Sequence, residues 1–255
     1  MQIAVIFPVV APPFVGKNAL RPFSKIDGRE AFLRCVELYT QRNQVSQRIV
    51  VVTPEDLETM QERYSAHLGF QGVTVAAGGS SWFSCVARGL EKLDGAVDTV
   101  IIHDVCCPAV SFHQLDALEA TLAKHESAVA AVPVLPTQRA YADLEEGRVL
   151  EYVDMSAVSE VQSPQIFRRK ALAEAYARRG ASDGDGKGAD GKETAFMDDA
   201  ELLVNLGYTV RTFAGSRFNQ RVDSDVMVRL AKELLSHLPK PASKTPLTPF
   251  GEAEW

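Results

Sequence analysis

The sequence predicts an α/β protein built on a doubly wound, mostly parallel sheet with helices on both faces. Short runs of β-branched residues recur along the chain, and stretches of helical length separate them. In those stretches apolar residues lie three and four positions apart, as they do in helices that cover a sheet. This alternation is typical of βαβ units. No repeat with a period of about 20 to 50 residues is visible, which argues against a solenoid.

Five apolar runs predict the strands of this sheet, and they span residues 3–10, 48–53, 73–77, 99–105 and 128–134. Four amphipathic stretches predict the helices between them, at residues 30–43, 54–68, 82–94 and 111–125. Pro54, followed by Glu55 and Asp56, favours a helix start. Proline is tolerated in the first turn, and acidic side chains are favoured at the positive end of the helix dipole. We therefore expect one domain over residues 1–238.

Three segments depart from this alternation. Residues 136–156 contain two short strand-like runs around Glu145-Glu146-Gly147, which predicts a β-hairpin arm that projects from the sheet. Residues 180–193 are rich in glycine and aspartate and have little to bury, which predicts a flexible insert. A calcium loop is disfavoured there, because the segment lacks the terminal glutamate at EF-hand spacing. Residues 239–255 are proline-rich and predict a C-terminal tail.

Charge and composition argue against several classes of protein. The chain has 27 Lys and Arg against 33 Asp and Glu, and its net charge of −6 gives no general attraction to nucleic acid or to acidic membranes. The N-terminal run lacks a basic leader and is too short and proline-broken to span a bilayer, so it predicts a first strand. The four cysteines lack paired C-x-x-C spacing, which favours reduced thiols and a cytoplasmic protein.

Residues that follow the strands are the first candidates for a site, because ligands of open parallel sheets bind at the carboxyl ends of the strands. The candidates are Gly16, Lys17 and Arg21 after the first strand, Gly78-Gly79-Ser80-Ser81 after the third, Asp104 after the fourth, and Asp198, Asp199 and Asn219-Gln220-Arg221 late in the chain. A glycine turn that opens a helix suits an anion or a base edge, and a strand-end carboxylate suits Mg²⁺.

Each candidate also has a purely structural interpretation. Gly78-Gly79 also fits a tight turn, and Asp104 also fits a capping residue. Asp198 and Asp199 precede an apolar helix, so N-capping accounts for them equally well. Structural roles are also expected for three other residues near these strand ends. His103 fits a packed or hydrogen-bonded histidine at the end of a strand. Cys106 and Cys107 fit small apolar residues that fill space in the core.

The order of these motifs resembles that of the 2-C-methyl-D-erythritol 4-phosphate cytidylyltransferase family. The segments that carry the resemblance are GGSSWFSCVARGL, VIIHDVCCP, AAVPVLPT, EYVDMS, VQSPQIFRRKALAEAY, MDDAELLVNLGY and NQRVDSDVMVRLAKELL. The resemblance as a whole extends over residues 1–235. The resemblance implies a GT-A-like, Rossmann-like nucleotidyltransferase fold and a homodimer joined by the hairpin arms. It also implies CTP and a polyol phosphate as substrates, with Mg²⁺ as cofactor, in isoprenoid precursor synthesis.

The resemblance also implies roles for individual residues. Asp104 matches the aspartate that binds Mg²⁺ on the CTP phosphates. Arg21 and Arg221 stand where the family has two catalytic lysines that hold the triphosphate and stabilise charge on the α-phosphate. The positions assigned to nucleotide binding are Lys17, Gly78, Gly79, Cys85 and Asp104, and those assigned to substrate binding are Thr137 and Asp198.

Several positions depart from the family pattern. The first loop reads PVVAPPFVGKNALRPF, and its two adjacent prolines lack the N–H donors that a phosphate cradle uses. Family arginines are replaced at four positions, namely Phe14, Trp82, Cys107 and Met155. A pocket serine becomes Cys85, and a threonine becomes Met197. Because phosphoryl transfer depends on positioning and on stabilising negative charge, these losses predict slower chemistry by several orders of magnitude.

Three functions therefore remain open on the sequence. The first is a CTP-dependent transferase that releases pyrophosphate. The second is a catalytically impaired or inactive relative that binds a nucleotide or a partner, and the loss of the arginines favours it. The third is a nucleotidyltransferase with another donor, because one fold serves several nucleotides.

Overall fold

A computed structural model of the chain describes residues 1–15, 22–137, 141–145, 148–152, 154–179 and 196–239. Its main sheet has eight strands in the order β10-β7-β11-β6-β1-β4-β5, and β12 pairs with β7. The strands are β1 Ile3–Val9, β2 Lys25–Ile26, β3 Arg29–Glu30, β4 Val45–Val52, β5 Val73–Ala77, β6 Thr99–Ile102, β7 Ala130–Pro136, β8 Tyr141–Glu145, β9 Arg148–Tyr152, β10 Ser159–Val161, β11 Gln165–Arg168 and β12 Val210–Ala214. The helices are α1 Ala31–Glu37, α2 Leu57–Phe70, α3 Trp82–Glu91, α4 Phe112–Lys124, α5 Arg169–Arg179, α6 Asp199–Asn205 and α7 Asp225–Ser236.

The predicted fold class is confirmed. Strands β5, β4, β1 and β6 pair in parallel, and β12 pairs in parallel with β7. Only β10 and β11 run antiparallel to their neighbours within this sheet, among the residues that the structure describes. All five predicted strands form, with boundaries shifted by a few residues. The carboxyl ends of β1, β4, β5 and β6 therefore lie at one edge of the sheet.

Two apolar cores lie on opposite faces of the sheet. Every residue of β1 is buried, and successive side chains of a strand point to opposite faces. Ile3, Val5 and Phe7 join the core under α1, α2 and α4. Ala4 and Ile6 join the core under α3, α5 and α6. This division explains why the central strands are continuous apolar runs rather than alternating ones.

Helix boundaries are where the sequence predictions differ most from the structure. The helix predicted over residues 30–43 ends at Glu37 and continues in tighter turns, such as the bond from Thr40 N to Glu37 O at 3.3 Å. The strand predicted over residues 99–105 ends at Ile102. A turn follows it, in which the N–H of Cys107 donates to the carbonyl of Asp104 at 2.9 Å. Because the strand ends early, Asp104 lies in a turn beyond the sheet rather than within a strand.

The predicted hairpin forms. Strands β8 and β9 pair antiparallel with each other and belong to no other sheet among the described residues. The predicted insert at 180–193 and the predicted tail from residue 240 onward lie outside the described residues. Within the described parts of the chain, no helix is long and apolar enough to cross a membrane.

Gly89 provides a direct test of how tightly α3 packs on β1. A Cβ atom at Gly89 would lie 2.7 Å from Cγ2 of Ile6, a fully buried residue of the central strand. We therefore expect Gly89→Ala to lower the free energy of unfolding by about 1 to 3 kcal/mol, because a filled core cannot absorb a methyl group. Urea denaturation measures this change.

Gly69 is the matched control for that substitution. It lies in α2, and a Cβ atom there would meet nothing within 4 Å. Gly69→Ala should leave the free energy of unfolding unchanged or raise it by up to about 1 kcal/mol, because alanine is the better helix former. Equal losses in both variants would show that α3 does not pack as described.

Candidate functional site

Asp104 and Arg221 meet at the carboxyl end of β6. The Nε atom of Arg221 donates to Oδ2 of Asp104 at 2.7 Å, and the backbone N–H of Cys106 donates to Oδ1 at 2.9 Å. Both side chains are largely buried, with 5% of Asp104 and 14% of Arg221 exposed. The turn after β6 thus presents one carboxylate that has a charged partner and a backbone partner.

Hydrogen bonds from neighbouring segments hold this ion pair in place. The N–H of Val222 donates to the carbonyl of Cys106 at 2.7 Å, and the N–H of Asp104 donates to Oγ of Ser163 at 2.8 Å. Gln162 and Asn219 complete the connection, because Nε2 of Gln162 donates to the carbonyl of Asn219 at 2.9 Å. The segment that carries Arg221 is therefore fixed to the ends of β6 and β10.

A cavity of about 510 Å³ opens above the ion pair. Its described lining comprises Pro12, Phe14, Trp82, Ile102, Asp104, Cys107, Glu160, Val161, Gln162, Ser163, Gln165, Met197, Asp198, Asp199, Glu201, Asn219 and Arg221. The volume suits a small organic ligand. Of the candidate residues named from the sequence, this cavity brings together Asp104, Asp198, Asp199, Asn219 and Arg221. Glu160, Gln162, Gln165 and Glu201 were missed as individual residues, because no strand-end or glycine signal marks them.

The glycine turn after β5 packs against α3 and β4 and does not line this cavity. A Cβ atom at Gly78 would lie 2.6 Å from Sγ of Cys85 and 2.8 Å from Val51, so only glycine fits there. The thiol of Cys85 donates to the carbonyl of Gly79 at 3.4 Å, and burial raises its pKa to about 11. Ser81 caps α3 through a reciprocal capping box with Ser84. Neither Gly78, Gly79 nor Cys85 is among the described residues that line the cavity.

Of the remaining predicted site residues, Asp198 lies in the cavity and Thr137 lies elsewhere. Asp198 caps α6, where its Oδ1 accepts from the N–H of Glu201 at 2.8 Å and its Oδ2 accepts from Gln165 at 2.9 Å. Thr137 lines a separate depression with Arg217, among other residues. Lys17 and Arg21 lie outside the described residues.

His103 is packed inside the protein, as the structural interpretation expected. Its Nε2 atom lies 3.0 Å from the carbonyl of Cys107, so Nε2 must carry the proton, and Nδ1 accepts from the hydroxyl of Tyr39 at 2.9 Å. Burial lowers its pKa to about 4. His103 therefore stays neutral at physiological pH. It is not a candidate base, because it is fully buried and both ring nitrogens already have hydrogen-bond partners.

A match to a protein-family model shows how the chain is related to known proteins. A family model described as 2-C-methyl-D-erythritol 4-phosphate cytidylyltransferase matches residues 15–237. The chain belongs to this family. The matched range includes both members of the ion pair and every strand of the main sheet except β1, which ends at Val9.

Individual relatives agree with the family assignment. A 2-C-methyl-D-erythritol 4-phosphate cytidylyltransferase of Frankia casuarinae is 29% identical, over 87% of this chain and 76% of that protein. A bifunctional enzyme IspD/IspF of Anaeromyxobacter dehalogenans is 33% identical over 82% of this chain, which spans 51% of that protein. The crystal structure of the cytidylyltransferase of Thermus thermophilus is 25% identical and has a TM-score of 0.70, covering 92% of this chain and 100% of that one.

Of the four positions at which the resemblance implies family arginines, three lie in the cavity. Phe14, Trp82 and Cys107 all line it, and Met155 lies in a short 3₁₀ helix, Met155–Ala157. Among the described lining residues, five carry carboxylates and Arg221 carries the one guanidinium. The described part of the cavity is thus apolar and acidic where the family resemblance implies cations.

Trp82 holds one of these carboxylates in place. Its indole Nε1 donates to Oδ2 of Asp199 at 2.9 Å, and the hydroxyl of Tyr176 donates to Oδ1. Asp199 is only 2% exposed, and burial raises its pKa to about 6, although both hydrogen bonds oppose that shift. Trp82 and Tyr176 therefore donate hydrogen bonds to both carboxylate oxygens of Asp199, but neither supplies a positive charge.

Asp104 does not fit a Mg²⁺ ion as its partners stand. Mg²⁺ binds oxygen ligands in near-octahedral geometry, whereas the largely buried carboxylate of Asp104 accepts a hydrogen bond on each oxygen and already has the positive charge of Arg221 beside it. No group of three or more His, Cys, Asp or Glu side chains that could hold a metal ion occurs in the described ranges. The family is in general dependent on divalent cations, but this carboxylate offers no ready ligand.

Proposed function

We propose that the protein transfers a cytidylyl group from CTP to a polyol phosphate such as 2-C-methyl-D-erythritol 4-phosphate, in the synthesis of isoprenoid precursors. The family and the names of the relatives support the choice of substrates. The observation that carries the proposal is the buried pair of Asp104 and Arg221 at the strand end, beside a cavity of suitable size. Family resemblance further leads us to propose a cytoplasmic homodimer joined by the arm at 136–156, which sedimentation at micromolar concentration would test.

In this reaction an oxygen of the acceptor phosphate attacks the α-phosphorus of CTP, and the bond to the β-phosphate oxygen breaks, so that pyrophosphate leaves. Negative charge is spread over the transferring phosphoryl group, and catalysis consists largely of positioning and electrostatic stabilisation. Arg221 would supply a fixed positive charge to that group, and Asp104 would orient its guanidinium. Arg21 and Lys17 remain predicted partners of the phosphates from the loop after β1.

A second candidate is a relative that binds a nucleotide or a partner without turnover. The apolar and acidic lining favours it, because Phe14, Trp82 and Cys107 replace cations that would hold phosphates. A binder needs no triphosphate cradle, whereas a transferase does. The two candidates therefore differ in turnover and not in the presence of the cavity.

One experiment separates these candidates. Calorimetric titration of CTP and of the other three nucleoside triphosphates reads binding, and pyrophosphate release with 2-C-methyl-D-erythritol 4-phosphate reads turnover. For the transferase we expect CTP binding and turnover, with turnover falling at least about 100-fold in Asp104→Ala. The exposed Asp94 gives the control, Asp94→Asn, which should keep both. Binding without turnover would favour the second candidate, and preference for another triphosphate would indicate another donor.

A further inference from the structure

We propose that Arg221 takes the place of a divalent cation on Asp104, so that the protein itself supplies the positive charge there and binds no metal ion at this carboxylate. The proposal deepens the proposed function, because it names the group that provides positive charge beside the phosphates in the same site. It replaces the expectation, drawn from family resemblance, that Asp104 holds Mg²⁺.

Each oxygen of the Asp104 carboxylate already has a hydrogen-bond partner, and only 5% of the side chain is exposed. Its Oδ2 accepts from a charged donor at 2.7 Å, within the short range of charge-assisted hydrogen bonds. Its Oδ1 accepts from the backbone of Cys106, and that donor cannot rotate away as a side chain can. A metal ion on this carboxylate would therefore have to share it with the charge of Arg221 or displace that side chain.

Displacing Arg221 would be opposed by the structure around it. The residues on either side of it are tied to other segments, through Val222 to Cys106 and through Asn219 to Gln162 and Ser163. The ion pair is therefore preorganised by the protein and does not depend on a bound ligand. A displaced guanidinium would remain close to the metal ion, and two positive charges in a poorly solvated site repel strongly.

Arg221 also keeps its charge in this position. Burial alone would lower its pKa, but Asp104 and the thiol of Cys106 act in the opposite direction, so that the pKa lies above its ordinary value. Two further acids of the cavity are also engaged by hydrogen bonds. Asp198 and Asp199 each accept hydrogen bonds on both carboxylate oxygens.

The test uses Mn²⁺, which prefers the same oxygen ligands as Mg²⁺ and broadens nearby amide resonances. The probe is the amide of Cys106, which donates directly to Asp104. In the wild type we expect no selective broadening of this resonance. In Arg221→Gln we expect broadening at an Mn²⁺ concentration lower by roughly tenfold or more, because the repelling charge is gone. The double variant Asp104→Asn/Arg221→Gln should lose the broadening again.

Two further variants make the result decisive. Arg88→Gln removes an exposed arginine paired with Glu91 and should behave as the wild type does. Arg221→Lys keeps the charge and should also stay unbroadened. Should the glutamine variant fail to fold, because it leaves a buried carboxylate without its cation, the wild type and Arg221→Lys remain measurable.

Two results would overturn the proposal. One is broadening of Cys106 in the wild type that Asp104→Asn removes. The other is an Arg221→Gln protein that folds and binds no more Mn²⁺ than the wild type. No nucleotide or turnover enters this measurement, so a protein that fails to use CTP would contradict the proposed function and leave this result intact.

Discussion

Replacing Arg221 by glutamine is expected to lower kcat for pyrophosphate release by about 100-fold to 1,000-fold, the usual effect of removing one preorganised donor from a developing negative charge. Arg221 is the one cation among the described residues that line the cavity, and its guanidinium is held by Asp104 at 2.7 Å. Glutamine keeps part of the shape and some hydrogen-bonding capacity but removes the charge. Steady-state assays with CTP and 2-C-methyl-D-erythritol 4-phosphate measure this change.

The split between kcat and KM distinguishes this role from a structural one. A group that acts on the transition state lowers kcat together with kcat/KM, whereas a loss of uniform substrate binding raises KM alone. Arg221→Lys should retain part of the activity, because an ammonium supplies the charge but not the planar fork that faces Asp104. Arg88→Gln, on the exposed side of α3, should match the wild type. Full activity in Arg221→Gln would show that this residue does not take part in the reaction.

The sheet could be predicted because the sequence features that indicate each strand lie within that strand. The central strands, such as β1 and β4, are continuous runs of apolar residues, which is typical of strands buried on both faces. Helices α2, α3 and α4 follow from apolar periodicity and from caps such as Ser81 and Ser111. Strands β10, β11 and β12 are short or exposed and gave no comparable run.

The candidate site could be predicted only in part, because its decisive contacts are distant in the sequence. Asp104 was predicted from its place after a strand, and Arg221 from the resemblance to the family. Their pairing spans 117 positions, and no periodicity reports a contact of that kind. The pairing of Trp82 with Asp199 is equally remote. In the sequence, Trp82 stands out only as a position at which the resemblance implies an arginine. That replacement gives no indication of its hydrogen bond to a buried acid.

The same buried groups predict an unusual pH dependence of stability. His103 has a pKa of about 4 when folded, which burial lowers from an ordinary value of 6.5. Between those values the unfolded chain binds a proton that the folded protein does not. Stability from this group is therefore complete above about pH 6.5 and is lost as the pH falls towards 4, by about 3 kcal/mol in all.

Asp199 acts in the opposite direction. Burial raises its pKa from an ordinary value of 3.8 to about 6 in the folded protein. Between those values the folded protein holds a proton that the unfolded chain has released. Its contribution is therefore complete below about pH 4 and is lost as the pH rises towards 6, again by about 3 kcal/mol. In the wild type the two titrations nearly cancel over this range.

Substituting either residue should reveal the pH dependence of stability that the other one contributes. Relative to the wild type, His103→Gln should gain about 2 to 3 kcal/mol of unfolding free energy between pH 7.5 and pH 4.5, and Asp199→Asn should lose a similar amount over the same interval. Urea denaturation at several pH values measures both differences, and only their change with pH matters, because each substitution also removes hydrogen bonds at every pH. The surface variant Asp94→Asn should show no such change. Parallel curves for all three variants would mean that neither buried group titrates as the structure indicates. Slopes of opposite sign would instead place a neutral imidazole beside Tyr39 and a partly protonated carboxyl beneath Trp82, on the two faces of one sheet.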